Sequence, residues 1–212
     1  TLTDWNYTAN GMFARVEAGK LILNNCTIEY SINIGALVFV NGANATVEVV
    51  GGVLTGSAPC IFDVTTGKLN ITGGIFVNTK SNIVNLNGAG EVTLSPATPE
   101  TILRFYAGNS IIEATNAANS TVTINGGEYT ANYVEDKNAP TAFVSMFPIG
   151  GNGAKLIIHG GSFNNDGGAY IFDFSAAGAV ISIDGGTFNG GRGWLLADLA
   201  GTFTVNANED CE

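Results

Sequence analysis

Positive charge is scarce in this chain. Eight Lys and Arg stand against eighteen Asp and Glu among 212 residues, a net charge of −10. So few cations cannot neutralise a track of phosphates, which excludes nucleic acid as a partner. An anionic membrane surface is disfavoured on the same ground. Charge of either sign is thin, at 12% of residues, about half the usual share. No apolar run approaches the ~20 residues of a membrane-spanning helix, so membrane insertion is not expected. Cysteine is sparse and odd in number: Cys26, Cys60 and Cys211 match no CxxC or zinc spacing. They read as small buried residues, with Cys211, near the end, the one best placed to pair with another chain.

What is abundant points elsewhere. Hydrophobic residues make up 45% of the chain and glycine contributes 29 residues. That is enough apolar material for a continuous core within a single domain, residues 1–212. Asn, Ser and Thr are plentiful, giving a polar but uncharged surface that fits an extracellular or cell-surface protein. Asn-x-Ser/Thr sequons at Asn6, Asn25, Asn44, Asn70 and Asn119 are candidate N-glycosylation sites. The composition produces nearly that many by chance, so they permit a glycoprotein without demonstrating one. The chain starts at Thr1 without a Met, which fits either a removed leader or a piece of a longer protein.

The organisation is a repeat. The octet ISIDGGTF (181–188) has relatives in VEVVGGVL (47–54), LNITGGIF (69–76), VTINGGEY (122–129) and LIIHGGSF (156–163). Weaker copies are LILNNCTI (21–28), VTLSPATP (92–99) and FTVNA (203–207). The first glycine or its stand-in falls at 25, 51, 73, 96, 126, 160, 185 and 207, a period of about 26 residues with two longer steps. Each octet begins with alternating apolar residues, which is a short strand. The glycine pair then turns a corner that calls for positive φ. Two residues later an apolar group returns to the interior: Ile28, Leu54, Phe76, Tyr129, Phe163 and Phe188. Stacked at the ~4.8 Å strand spacing, these predict an aromatic-rich ladder.

A second strand precedes each octet: LVFV (37–40), IFDV (61–64), IVNL (83–86), FVSM (143–146), YIFDF (170–174) and WLLADL (194–199). A third follows the glycine pair, as in GIFVN (74–78) and TILRFY (101–106). No helical period occurs. Three short strands per turn over about eight coils predict an all-β parallel β-helix, a solenoid with longer excursions at 95–110 and 129–143. One coil alone buries too little to offset its own ordering entropy, so only a stack is stable.

The Val-x-Ile-x-Gly-Gly-x-Phe rhythm resembles the right-handed parallel β-helix superfamily, the pectin-lyase-like fold. More narrowly it resembles that superfamily's non-enzymatic, adhesin-like surface proteins of bacteria and archaea. The resemblance covers nearly the whole chain and implies the right hand of the coil. Its polysaccharide-cleaving members carry Asn-Thr-Asp, Asp-Asp, Gly-His-Gly and Arg-Ile-Lys signatures, and this sequence has none of them. No catalytic residue is therefore assigned.

The candidate chemistry is limited. Asp184, directly before two glycines, looks like a ligand or a catalytic carboxylate. Aligned with its siblings, it falls in a corner column with Asn24, Val50, Thr72, Ser95, Asn125, His159 and Asn206, polar except for Val50, where side chains cap turn backbone. Asp63, Asn85, Ser145, Asp173 and Asp198 form a second column. Its successive-coil pair Asp173 and Asp198 is the one candidate cation site, for Ca²⁺; no other cofactor is implied. The excursions offer Arg104 and Tyr106 in the first, and Tyr133, Glu135, Asp136 and Lys137 in the second, as ligand or partner contacts. An ice-binding array is not expected, because only two of eight outward pairs before the corner are Thr-x-Thr. The strand pattern runs nearly end to end without a lid helix, so partners are expected at the coil ends. These would be other copies of the chain or a longer parent chain, with glycans as a further class. The leading expectation is a non-catalytic structural or adhesive solenoid, able to assemble into a filament or sheath. The alternative is a carbohydrate-binding or polysaccharide-cleaving protein of the same fold.

Overall fold

The structure, a computed structural model, describes residues 1–131, 145–165, 170–174, 176–190, 196–199 and 202–205. It is an all-β parallel solenoid of about seven turns with a period of about 25 residues. The eight octets bound these turns. Among the described residues no helix forms.

Every turn lays strands on three faces. The first face holds the strand before each corner: Gly19–Asn24, then Glu91–Leu94, Thr121–Ile124, Lys155–Ile158, Val180–Ile183 and Thr202–Val205. The second holds the strand after the corner, from Asn6–Ala9 through Cys26–Ser31, Gly52–Ser57, Gly74–Asn78, Leu103–Ala107, Glu128–Ala131 and Ser162–Asn165 to Thr187–Gly190. The third holds Ala14–Val16, Asn82–Leu86, Ile112–Glu113, Phe147–Ile149, Phe172–Phe174 and Leu196–Leu199. Two long strands, Ala36–Val49 and Cys60–Ile71, run from the third face round onto the first. They join both faces into one twelve-stranded sheet beside an eight-stranded and a three-stranded one. All pairings are parallel and between successive turns.

The corner works as the glycine pattern predicts. The second glycine of each pair takes positive φ: 108° at Gly52, 119° at Gly74, 110° at Gly127, 127° at Gly161 and 111° at Gly186. A side chain there would also collide, since a Cβ on Gly52 would lie 2.0 Å from the Cys26 carbonyl oxygen. Gly56 serves a different purpose. It lets the strand approach Tyr30, whose carbonyl oxygen would lie 1.8 Å from a Cβ there, and the Tyr30 hydroxyl donates to the Val77 carbonyl two turns away at 2.6 Å.

Inside, columns of like residues fill the coil. On the second face the register runs Tyr7, Ile28, Leu54, Phe76, Phe105, Tyr129, Phe163, Phe188. The five rings from Phe76 to Phe188 stack at 4.9, 5.0, 4.9 and 4.8 Å, with interplanar angles of 13° or less. Each such pair adds about 0.5–1.5 kcal/mol beyond its burial. Phe105 is a rung that the simple octet offset misses, because residues 95–102 lengthen the corner before it. The third face contributes Leu37, Ile61, Ile83, Ile111, Met146 and Ile171, all fully buried.

One register differs from the sequence pattern. The strand pairing with Phe172–Phe174 is Phe147–Ile149, so Pro148 and not Ser145 lies beside Asp173. The sequence segment FVSM is offset from it by several residues. In MFPI, Met146, Phe147 and Ile149 match the Ile-Phe-x-apolar spacing of IFDF, and Pro148 at the outward place conceals that match.

Candidate functional site

The first long excursion resolves into two parts. Leu103–Ala107 is a regular strand of the second face, and only the residues before it bulge outward. This strand alternates buried and half-buried residues, so Arg104 and Tyr106 share the outer surface. Beside Arg104 the register places Ile75 and Glu128; beside Tyr106 it places Val77 and Thr130. Continuing along the same two columns come Ser162 and Thr187, then Asn164 and Asn189, the last pair joined amide to amide at 3.1 Å. The result is a flat strip of hydroxyls and amides with one aromatic ring and one ion pair.

That ion pair is fixed to the neighbouring coil. Arg104 Nη2 donates to Glu128 Oε1 at 3.1 Å, and Nε lies 2.9 Å from Oε2 without a hydrogen-bond alignment. The Glu128 contact raises the guanidinium's pKa further, so Arg104 is a permanent cation that cannot act as an acid or base. Between Ser95 and Pro99 the bulged corner borders a shallow open hollow with Asn125, Gly126 and Gly127.

The third face carries the acidic column. Its register is Arg15, Phe39, Asp63, Asn85, Glu113, Pro148, Asp173. Asp63 accepts from the Asn87 side-chain amide at 3.1 and 3.2 Å. Glu113 accepts from Asn82 Nδ2 and from Thr115 Oγ1. Glu113 was not singled out from the sequence, although its Ile-Ile-Glu-Ala setting has the same two-apolar, acidic, apolar order as IFDV and IFDF. Behind this column sits Cys60, 1% exposed and unpaired. Burial, reinforced by Asp63 and Glu113, pushes its thiol from 9.0 up to about 12, so it stays protonated and is a poor nucleophile.

Asp173 lies on an outward position opposite the strand Leu196–Leu199, which contains Asp198, across a register irregularity. The Asp198 side chain lies outside the described part, so the spacing of the two carboxylates is not defined. Among the described residues, no three His, Cys, Asp or Glu side chains come together as a metal-binding group. Tyr133, Glu135, Asp136, Lys137 and Cys211 likewise lie outside the described residues.

Asp184 does have a partner. Both its oxygens lie within 2.9 Å of His159 Nδ1 on the preceding corner. The polar corner column is thus a coil-to-coil contact, and the one histidine is part of it. Two buried amides have a similar role at the corner between the second and third faces. Asn78 accepts from the Ala58 amide and donates to the carbonyls of Ala58 and Asn82. Asn165, in the same column, donates to the Tyr170 carbonyl. Sequence reading passed over both. Their signal is an Asn four residues after the second-face corner glycine, in GIFVN and GSFNN.

Of the sequon residues, Asn6, Asn25, Asn44 and Asn119 are exposed, while Asn70 is half-buried within a strand. Asn25 also donates to Asp4 Oδ1 at 2.7 Å.

Compared with known proteins, the chain matches no family, no curated protein and no solved structure.

Proposed function

We propose that this chain is a non-catalytic structural or adhesive solenoid of the extracellular or cell-surface kind, right-handed and pectin-lyase-like, assembling through its coil ends. Those ends meet other copies of the chain or further coils of a longer parent chain, and the product is a filament or sheath. One observation carries the reading: six pairs of polar side chains that could do chemistry bind across neighbouring coils instead. Lys20–Glu48, Lys68–Glu91, Arg104–Glu128, His159–Asp184, Asp63–Asn87 and Glu113–Asn82 all join neighbouring turns. A group held this way tightens the stack and is not free to approach a substrate. The first coil adds an apolar edge in Trp5, Tyr7, Met12 and Phe13, of which the first three are exposed. Incubation with a panel of acidic and neutral polysaccharides should yield no new chain ends. Cleavage abolished by Asp173→Asn or Asp198→Asn would overturn the proposal.

A second reading has its own support. The outward, half-buried Tyr106 lies between Val77 and Thr130 in the register and two residues from Arg104, an aromatic residue among polar and apolar neighbours on the outer surface of the sheet. That suits a sugar ring, with Ca²⁺ at Asp173 and Asp198 as its helper. Binding to a glycan array that is lost both with a chelator and in Tyr106→Ala would favour this reading over the first.

A further inference from the structure

We propose that Asn10 is a self-modifying residue, converting through a succinimide to aspartate and isoaspartate, and that the fold protects the other asparagine–glycine pairs. The sequence holds six such pairs, beginning at Asn10, Asn41, Asn87, Asn125, Asn152 and Asn189. Their local chemistry is the same, because the following glycine offers no side chain to hinder attack. In the reaction the backbone nitrogen of the glycine attacks Cγ of the asparagine. A C–N bond closes the five-membered ring, the side-chain amide nitrogen leaves as ammonia, and water then opens the ring at either carbonyl. The step therefore needs a free glycine N–H, a side chain able to swing, and a backbone able to pucker.

The coil removes these freedoms at five of the pairs. Asn41 and Gly42 lie inside the strand Ala36–Val49, with Gly42 pressed against the Glu17 carbonyl. The Asn87 amide is bound to Asp63. At Asn125 it is the backbone that is pinned and cannot pucker: the Asn125 amide donates to Leu94 and the Gly126 carbonyl accepts from the Tyr129 hydroxyl, with Pro96 3.3 Å from where a Gly126 Cβ would lie. The Gly153 amide donates to Gly178 at 3.1 Å. Asn189 and Gly190 are in the strand Thr187–Gly190, with the Asn189 side chain tied to Asn164. The related Asp184–Gly185 pair is likewise fixed, by His159 on the carboxylate and by the His159 carbonyl against Gly185.

Asn10–Gly11 alone is open. Both residues are exposed in the bend between Asn6–Ala9 and Ala14–Val16. Among the described residues no backbone hydrogen bond engages the Gly11 amide, and a Cβ built on Gly11 would meet nothing within 4 Å. The product places a new carboxylate in a hollow that Asn10 shares with Glu29 and Tyr30.

The test is a peptide map by mass spectrometry of the intact chain aged at mildly alkaline pH, alongside the same protein in denaturing urea. In urea all six pairs should convert at comparable rates. In the folded protein Asn10 should keep a rate close to its urea value, while the other five slow severalfold or more. Gly11→Ala, which has room for its methyl group, should suppress conversion at Asn10 only. Equal slowing at all six pairs, or faster conversion at any of the other five, would overturn the proposal.

Discussion

Two sets of aromatic rings occupy this solenoid, and they behave differently. From Phe76 to Phe188 the rings stack face to face, one per turn, and Phe105 is 1% exposed. In the first turn Tyr7 holds the same column, yet it is 42% exposed. There it clusters with Trp5 and Phe13 of its own turn, at 5.0 and 5.5 Å. Its axial neighbours are Ile28 and then Leu54, so the ring it stacks on, at 14°, is Trp5 of its own turn and not a ring of the next layer. A column position therefore creates a ladder only when the adjoining layer supplies a matching side chain. An inner ring is a stability element, whereas the first-turn ring, 42% exposed, contributes less burial to the stack.

The hardest blow to this contrast is Phe105→Ala. It removes a ring with neighbours on both sides and should cost about 3–5 kcal/mol, read as a lower denaturation midpoint in urea. If the loss matches that of Tyr7→Ala, the contrast fails. Asn78→Ala should cost about 1–3 kcal/mol, because it leaves the Ala58 amide and two carbonyls without partners inside the corner. Thermal melts read this directly.

Alkaline titration sharpens the interior side. Unfolded Cys60 ionises near its ordinary value of 9.0, while the folded thiol keeps its proton up to about 12. Stability should therefore be unaffected by this group below pH 9.0 and should fall between 9.0 and about 12. Burial raises the Tyr30 and Tyr129 phenols too, which extends the loss at higher pH. Cys60→Ala should flatten the thiol's share of the slope, and Ala36 at the same register position shows that the column accepts a methyl group. Smallest is Tyr7→Ala, expected to cost about 0.5–1.5 kcal/mol, the value of its contact with Trp5, because the ring is 42% exposed. Its main effect should appear in self-association.

The corner octets and the inward ladder were legible because their cause is local: alternation, a glycine pair and a returning apolar group within eight residues. The missed features depend on non-local register. Phe105 escaped because a longer corner shifted its offset, and Phe147–Ile149 because Pro148 stands at its outward place. Glu113, Asn78 and Asn165 carry local signals, the Ile-Ile-Glu-Ala order and an Asn four residues after the corner glycine, but which backbone and side-chain groups they bind is decided by the folded coil. The corner column of Asp184 was visible as a row of polar residues. Its pairing with His159 required knowing that both side chains lean along the axis. No surface feature identified a ligand in the sequence, because Arg104 and Tyr106 gain meaning only from the strands beside them.

Assembly between copies is the claim tested most directly on the 212-residue chain. Sedimentation velocity over a range of concentrations, with electron microscopy of the same samples, should show reversible end-on oligomers of constant width. Replacing Trp5, Tyr7 and Phe13 together with serine should return the chain to monomer while its far-ultraviolet β signature is retained. A parent chain that stays monodisperse and monomeric at every concentration, or oligomers indifferent to the triple substitution, would contradict it.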